Sequence, residues 1–272
     1  MQKYYVIFSE IKNMKDTLNI AIIQSDLIWE NPEDNRMHFT NKIESIKESV
    51  DVILLPEMFT SGFTMNPEYV FETMQGTTIK WLLKLSKEKQ IAIGGSLVIK
   101  ENDMFYNRFV FVKPNGTIDT YNKRHTFTLA GEDKVYNSGA KKVIIDYKGW
   151  KLCPFVCYDL RFPVWARNIE NYDALIYVAN WPKPRINAWD ALLKARAIEN
   201  MSYCVGVNRV GLDNNNYEYS GHSAAYDGLG KLLTSLENDK EGIEIVTLDK
   251  KHISTIRNKL KFLDDRDLFT VM

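Results

Sequence analysis

The sequence predicts a single α/β domain with mixed sheets and with helices packed on the outside. Short β-branched runs alternate with amphipathic stretches over residues 18–89, and the order strand, helix, strand returns over residues 174–207. Between them, residues 91–121 are typical of neighbouring antiparallel strands. Because no linker, repeat or low-complexity segment interrupts this pattern, we expect one domain over residues 18–272. Residues 1–17 lack periodicity and are predicted to be an N-terminal extension.

The first elements have clear boundary signals. Residues 18–24 form a short β-branched strand, and Asn31 then supplies an N-cap ahead of Pro32 and of acidic residues in the first helical turn. Residues 52–55 are a second buried strand that stops at a proline, and residues 77–89 carry apolar side chains on one helical face. These patterns predict strand, helix, strand and helix, in that order.

The rest of the chain is richer in strands. Two of the turns between them are supplied by Pro114-Asn115-Gly116 and Lys148-Gly149. Helices are predicted over residues 163–171, which begin with a proline, and over the amphipathic residues 186–201. The predicted strands are short apolar runs bounded by turns, at residues 91–99, 104–113, 117–121, 143–147, 151–156, 174–178, 203–207, 223–226, 231–233 and 243–248.

The composition excludes several classes of protein. Since 35 Lys and Arg balance 35 Asp and Glu, no overall positive field attracts nucleic acid or an anionic membrane surface. No apolar run approaches the roughly 20 residues needed to span a bilayer, and the apolar run at the N-terminus stops too early for a secretory signal. Three cysteines in 272 residues fit a reducing compartment. We therefore expect a cytoplasmic protein with no nucleic-acid or membrane partner.

Motifs for metals and nucleotide cofactors are also missing from the sequence. The four histidines form no H-E-x-x-H pattern, and Cys153 and Cys157 are spaced C-x-x-x-C on a predicted strand. The sequence contains neither a P-loop nor a G-x-G-x-x-G string. We expect no metal and no cofactor.

Three side chains at strand ends are candidates for chemistry. Cys157 lies at an elbow between strand and helix, where nearby N–H groups and positive charge would favour the thiolate. Glu57 follows a buried strand, where desolvation would raise its pKa towards that of a general base. Lys123 ends another strand. Each has a structural alternative, because core cysteines, solvated carboxylates and surface lysines are common.

Taken together, these three positions resemble the nitrilase superfamily, the carbon–nitrogen hydrolases. The Glu, Lys and Cys of that family lie in L-P-E-M-F, Y-N-K-R-H and F-V-C-Y-D-L-R-F-P, which places them at Glu57, Lys123 and Cys157. The similarity runs from about Leu18 to the C-terminus. Further stretches resemble the omega-amidase branch of the superfamily, namely T-F-T-L-A-G-E-D, N-W-P-K-P-R-I-N-A-W-D-A-L-L-K-A-R-A-I-E-N and Y-S-G-H-S-A-A-Y-D-G-L-G.

The resemblance implies a four-layer α-β-β-α sandwich that pairs into a homodimer. It also implies an omega-amidase, which hydrolyses the terminal amide of 2-oxoglutaramate or 2-oxosuccinamate to the dicarboxylate and ammonia through a thioester on Cys157. Glu57 would be the base, while Lys123 and the backbone N–H of Tyr158 would hold the oxyanion. Glu132 matches a second glutamate of the family, which would orient Lys123.

Substrate binding and the type of activity leave alternatives open. A carboxylate at the far end of the substrate needs a cationic recess, for which Arg161 is the candidate. Arg161 could instead pair with Asp159 or with a neighbouring carboxylate and brace the elbow. Phe127 and Trp181 are candidate walls of the pocket, although aromatic residues more often belong to the core. The alternative functions are hydrolysis of an N-carbamoyl compound or a nitrile, and binding without catalysis by a protein of the same fold.

Overall fold

The computed structural model describes residues 15–267 together with residues 269 and 270. Most of the predicted N-terminal extension, residues 1–14, lies outside the described residues. Thr17, the last residue of that extension, already belongs to the first strand. Within the described part of the chain, no helix is long and apolar enough to cross a membrane.

The first sheet is built from six strands, β1 (Thr17–Gln24), β2 (Val52–Leu54), β3 (Ala92–Glu101), β4 (Met104–Val112), β5 (Ile118–Asn122) and β13 (Gly242–Asp249). They lie in the order β13-β1-β2-β3-β4-β5. The central strands β1, β2 and β3 are parallel, whereas β13, β4 and β5 pair antiparallel to their neighbours. The sheet is therefore mixed.

The second sheet is built from five strands, β6 (Ile145–Tyr147), β7 (Trp150–Val156), β8 (Ala174–Ala179), β9 (Tyr203–Asn208) and β12 (Ala224–Tyr226). Their order is β12-β9-β8-β7-β6, with β7, β8 and β9 parallel and the two edge strands antiparallel. A small antiparallel pair stands beside the sheets, formed by β10 (Val210–Leu212) and β11 (Glu218–Ser220).

The two sheets pack face to face, and the alternation of side chains along the strands shows how. In β1, Ile20 and Ile22 join an apolar cluster that contains residues of both sheets. Ala21 and Ile23, which point the other way, join a second cluster on the outer face of the first sheet. A strand that is apolar on both faces is therefore covered on both faces.

Helices cover the outer faces of both sheets. The described residues contain α1 (Pro32–Ser45), α2 (Thr77–Lys89), α3 (Pro163–Ala166), α4 (Ile186–Asn200) and α5 (Lys250–Leu260). Phe39 of α1 and Leu82 of α2 pack on the first sheet, and Trp189 and Leu193 of α4 pack with residues of the second. The predicted four-layer α-β-β-α sandwich is confirmed, and the mutual burial of its layers accounts for its stability.

One predicted helix is shorter in the structure. The prediction was residues 163–171, but the helix ends at Ala166, and Arg167 is extended. The Asn168 side chain then forms two hydrogen bonds with the backbone of Tyr172, through Nδ2 to the carbonyl at 3.0 Å and from the N–H to Oδ1 at 2.9 Å. Asparagine competes with the helix in this way because its side chain mimics a peptide group.

The C-terminal third differs from the prediction in several elements, among them one strand and one helix. The strand predicted over residues 231–233 is only an isolated bridge between Tyr226 and Leu232. The helix α5 was not predicted, although Asp249 caps it by accepting a hydrogen bond from the backbone N–H of Lys251. Its signals were the cap and the apolar side chains Ile253 and Ile256, which are both buried.

The buried thiols are expected to lower the stability of the protein at alkaline pH. Cys153 in β7 and Cys204 in β9 have no exposed surface, and burial raises the pKa of both thiols. The folded chain therefore keeps protons that the unfolded chain loses above a pH of about 8.5. We expect the free energy of unfolding to fall above that pH by about 1.4 kcal/mol per pH unit and thiol.

Urea denaturation between pH 7.5 and 9.5 measures this fall. In a Cys204→Ala variant the decline should be shallower by the contribution of one thiol. Equal slopes in the variant and in the unmodified protein would contradict the prediction.

Candidate active site

The three candidate side chains come from strand ends in different sheets. Glu57 lies just beyond β2 and Lys123 directly after β5, both in the first sheet, whereas Cys157 directly follows β7 in the second. All three line one cavity, and Lys123 Nζ lies 3.0 Å from Glu57 Oε1. The fold therefore brings together three residues that are up to a hundred positions apart in the chain.

Glu57 is fully buried, and both oxygens of its carboxylate accept hydrogen bonds. Oε1 accepts from Lys123 Nζ at 3.0 Å and from Asn107 Nδ2 at 2.8 Å. Oε2 accepts from the backbone N–H of Asn180 at 2.8 Å. Asn107 is fixed in turn, because its Oδ1 accepts from Ser96 Oγ at 2.8 Å. This network holds the carboxylate in one orientation.

Lys123 and Glu132 form a buried ion pair beside Glu57. The ammonium donates to both oxygens of Glu132, at 3.0 Å and 2.9 Å, and both side chains are almost completely buried. Burial alone would lower the pKa of Lys123, but the carboxylates of Glu132 and Glu57 outweigh it and raise the pKa above its ordinary value. Lys123 is therefore charged, and two carboxylates surround that charge.

Cys157 stands at a strained elbow between β7 and a 3₁₀ turn (Cys157–Arg161). Its φ of +45° lies in the left-handed region, which is uncommon for a residue with a Cβ and is often found at functional sites. The sulfur lies 4.0 Å from the carbonyl oxygen of Asn180. Asp159, in the same turn, accepts from the backbone N–H of Val156 at 3.1 Å and so ties the turn back to the strand.

The structure opposes the expectation that the site favours the thiolate. Burial, together with the carboxylate of Glu57, raises the pKa of the Cys157 thiol well above its ordinary value, and Lys123 offsets only part of this. The physical reason is that one ammonium lies among two carboxylates, so that the surroundings of the sulfur are not positive overall. At neutral pH the sulfur is a thiol, and its attack on a substrate requires a base.

The cavity has a volume of about 600 Å³ and is lined by aromatic and charged side chains. Three of the aromatic side chains in this lining, Phe127, Tyr158 and Trp181, are together called the aromatic wall. The rings of Phe127 and Tyr158 meet edge to face with centroids 4.9 Å apart. The remaining lining residues are Trp29, Glu57, Phe63, Met65, Asn66, Lys123, Leu129, Ala130, Cys157, Arg161, Asn180, Pro182, Arg185, Asp213, Asn215, Tyr217 and Tyr219.

The structure distinguishes the two roles considered for Arg161. Asp159 does not pair with it, because Asp159 Oδ1 accepts from the backbone N–H of His125 at 2.9 Å and lies 2.7 Å from its Nδ1, and Oδ2 accepts from Tyr121 Oη at 2.8 Å. The Arg161 guanidinium instead lies over the Trp181 ring, 4.9 Å from its centroid, in the lining of the cavity. The bracing role belongs to His125 and Tyr121.

Sequence reasoning missed several residues of the site, among them Asn107, Asn180 and Arg185. Asn107 and Asn180 hydrogen-bond Glu57, and Arg185 lines the cavity. The only signal for Asn107 was a polar residue two positions before the apolar run F-V-F-V, and Asn180 directly follows an apolar strand. In the part of the chain that the structure describes, no group of three or more metal-ligating side chains is found.

The sandwich fold and the cluster of thiol, ammonium and carboxylates define the class of protein as a hydrolase of the nitrilase type. The chain belongs to the carbon–nitrogen hydrolase family, whose sequence model matches residues 19–258. It therefore acts on carbon–nitrogen bonds other than peptide bonds, and the family predicted from the motifs is confirmed.

Individual relatives are similar over nearly their whole length. The chain is 41% identical to omega-amidase YafV of Yersinia enterocolitica over 94% of this chain and 99% of that protein. It is 30% identical to 2-oxoglutaramate amidase of Bacillus subtilis over 92% and 98%. Among solved structures, a CN-hydrolase superfamily protein of Xanthomonas campestris, 34% identical, matches with a TM-score of 0.92 over 95% of this chain and all of that chain.

Proposed function

We propose that the protein is an omega-amidase that hydrolyses 2-oxoglutaramate or 2-oxosuccinamate to the dicarboxylate and ammonia. The observation that carries this proposal is the cavity itself, whose lining contains a thiol, a buried base and an ammonium together with the guanidinium of Arg161. The relatives named omega-amidase and 2-oxoglutaramate amidase support it.

The first half of the reaction forms a thioester. Glu57 removes the proton of the Cys157 thiol as the sulfur attacks the amide carbonyl carbon, which gives a tetrahedral oxyanion. The Lys123 ammonium and the backbone N–H of Tyr158 stabilise this oxyanion; the first N–H groups of a helical turn have no partner within it. Glu57 then gives its proton to the amide nitrogen, the C–N bond breaks, and ammonia leaves.

The second half reverses the roles of the same groups. Glu57 removes a proton from water, and the resulting hydroxide attacks the thioester carbonyl. When the tetrahedral intermediate collapses, the C–S bond breaks, the sulfur takes the proton back from Glu57, and the carboxylic acid product is released. Glu132 keeps Lys123 in place throughout by its two hydrogen bonds to the ammonium.

The raised pKa of the thiol supports this use of Glu57. A site that held a preformed thiolate would need no base for the first step. Here the thiol keeps its proton at neutral pH, and Glu57 is the carboxylate that both raises its pKa and is placed to take its proton.

Homodimer formation and a cytoplasmic location belong to the same proposal. Exposed apolar side chains on α4 and the loop beyond β12, Ile198, Leu229 and Leu232, support a partner surface. All three cysteines are free, which supports a reducing compartment. Light scattering should give twice the mass of one chain.

Ammonia release tests the proposed activity. The purified protein is mixed separately with 2-oxoglutaramate, glutamine, an N-carbamoyl amine and a nitrile, and we expect the highest kcat/KM for 2-oxoglutaramate. Activity confined to the carbamoyl compound or the nitrile would keep the mechanism and overturn the substrate. No ammonia from any of the four, with Cys157 also inert to iodoacetamide, would indicate a binding protein without catalysis.

A further inference from the structure

The turn that follows β8 carries two basic side chains that make different contacts. Lys183 and Arg185 lie in one 3₁₀ turn (Lys183–Arg185). Lys183 points away from the cavity, where its Nζ pairs with Asp239 Oδ1 at 3.1 Å and with Glu218 Oε2 at 3.7 Å. Arg185 lines the cavity. Lys183 and Arg185 are therefore two positions apart in the sequence but lie in different surroundings.

Arg185 is held against the aromatic wall in the same way as Arg161. Its guanidinium lies 5.1 Å from the centroid of the Phe127 ring, as that of Arg161 lies 4.9 Å from the centroid of Trp181. Trp181 also fixes the turn, because its Nε1 donates to the carbonyl oxygen of Arg185 at 2.8 Å. Aromatic support orients a guanidinium plane before a ligand arrives, which lowers the entropy lost on binding.

Among the described residues, neither guanidinium group has an anionic partner. Neither Arg161 nor Arg185 forms an ion pair with any of the residues that the structure describes, although both line a cavity that contains carboxylates. Of those carboxylates, Glu57 forms an ion pair with Lys123. The cavity therefore contains two planar cations whose N–H donors are available.

The remaining acidic residue of the lining, Asp213, is also occupied. Its Oδ2 accepts from Tyr219 Oη at 2.9 Å, and its Oδ1 accepts from the backbone N–H groups of Asn215 and Tyr217 at 2.8 Å and 3.0 Å. The loop uses this carboxylate to hold its own conformation. The charged groups in contact with the aromatic wall are the guanidinium groups of Arg161 and Arg185, and both are positive.

We propose that Arg185 is a specificity-determining residue, which together with Arg161 binds the 2-oxo acid end of the substrate. Two guanidinium groups present more N–H donors than a lone carboxylate can accept, and the adjacent 2-oxo oxygen supplies a further acceptor. This inference rests on the proposed omega-amidase function. It adds Arg185 as a second cation that selects substrates with a free 2-oxo acid group. An amide without a carboxylate supplies no anionic partner for either guanidinium group.

Substitution of Arg185 tests the inference, with Lys183 as the matched control from the same turn. In Arg185→Met, we expect KM for 2-oxoglutaramate to rise about tenfold or more while kcat changes much less, because a charged hydrogen bond to the ground state is lost. Arg185→Lys should restore part of the affinity, since it keeps the charge but not the planar fork. Lys183→Met should keep the KM of the unmodified protein.

A second measurement does not depend on turnover. The product 2-oxoglutarate should slow the alkylation of Cys157 by iodoacetamide, and Arg185→Met should require about ten times more of it for the same protection. Lys183→Met should be protected like the unmodified protein. Equal KM and equal protection in Arg185→Met and Lys183→Met would overturn the inference while leaving the proposed function intact. Failure of the unmodified protein to hydrolyse 2-oxoglutaramate would reject the proposed function, and the protection assay would still decide whether Arg185 binds the dicarboxylate.

Discussion

Replacing Cys157 by alanine is expected to lower ammonia release from 2-oxoglutaramate by about 10⁴-fold or more, because no covalent intermediate can form. The fold should be unaffected. Alanine carries the same Cβ as cysteine, so the left-handed backbone at this position, with φ of +45°, is no more strained than before. A kinetic assay together with a urea denaturation curve measures both effects.

The matched control is Cys153→Ala, four residues earlier in the same chain segment. Cys153 is buried in β7 and does not line the cavity, so the variant should keep its activity and lose only a small amount of stability. Iodoacetamide should inactivate the Cys153→Ala protein as it does the unmodified one. Full activity of Cys157→Ala would reject the assigned nucleophile.

Replacing Lys123 by methionine is expected to remove activity and stability together. The oxyanion loses its charged donor, which should lower kcat by about 10²-fold to 10³-fold. The buried carboxylates of Glu57 and Glu132 are then left without a cation, and breaking a buried pair in this way costs about 3 to 5 kcal/mol. Urea denaturation and the ammonia assay measure the two losses.

The pH dependence of this loss has a defined sign. Without Lys123, no ammonium opposes the burial of Glu132 and its repulsion by Glu57, which raise the pKa of the Glu132 carboxyl group. The folded variant therefore binds more protons than the unfolded chain, and its stability falls as the pH rises. The deficit should be larger at pH 8 than at pH 5.

A double variant, Lys123→Met with Glu132→Gln, separates charge from chemistry. It removes one of the two unpaired carboxylates and should recover much of the stability while remaining inactive. If Lys123→Met were as stable as the unmodified protein at pH 8, the buried ion pair would not have the energetic role described above.

The positions of the candidate nucleophile, base and ammonium could be predicted because each is marked by local sequence. Glu57 and Cys157 each follow an apolar run that forms a buried strand, and Lys123 follows the more polar, partly buried strand β5. A strand end is a property of neighbouring residues. The residues that hold them could not be predicted. Asn107 and Asn180 contact Glu57 across 50 and 123 positions of the chain, contacts that depend on how strands and sheets are placed.

The sequence also could not predict which of two nearby basic side chains lines the cavity. Lys183 and Arg185 are both basic and two positions apart, yet one pairs on the surface with Asp239 and the other lines the cavity. The 3₁₀ turn that contains them determines this difference, because successive side chains of such a turn point in different directions around its axis.

The sequence by itself determined the alternation of strands and helices and an α/β domain with its helices outside. Through the motifs that resemble the nitrilase superfamily it also indicated the sandwich and the residues for chemistry at a carbon–nitrogen bond. Only the tertiary structure decided the state of those residues. Burial and the neighbouring carboxylate of Glu57 raise the pKa of the Cys157 thiol, and the ammonium of Lys123 offsets only part of this, so that the sulfur keeps its proton. Burial and distance set the energy of a charge, and both are properties of the folded chain.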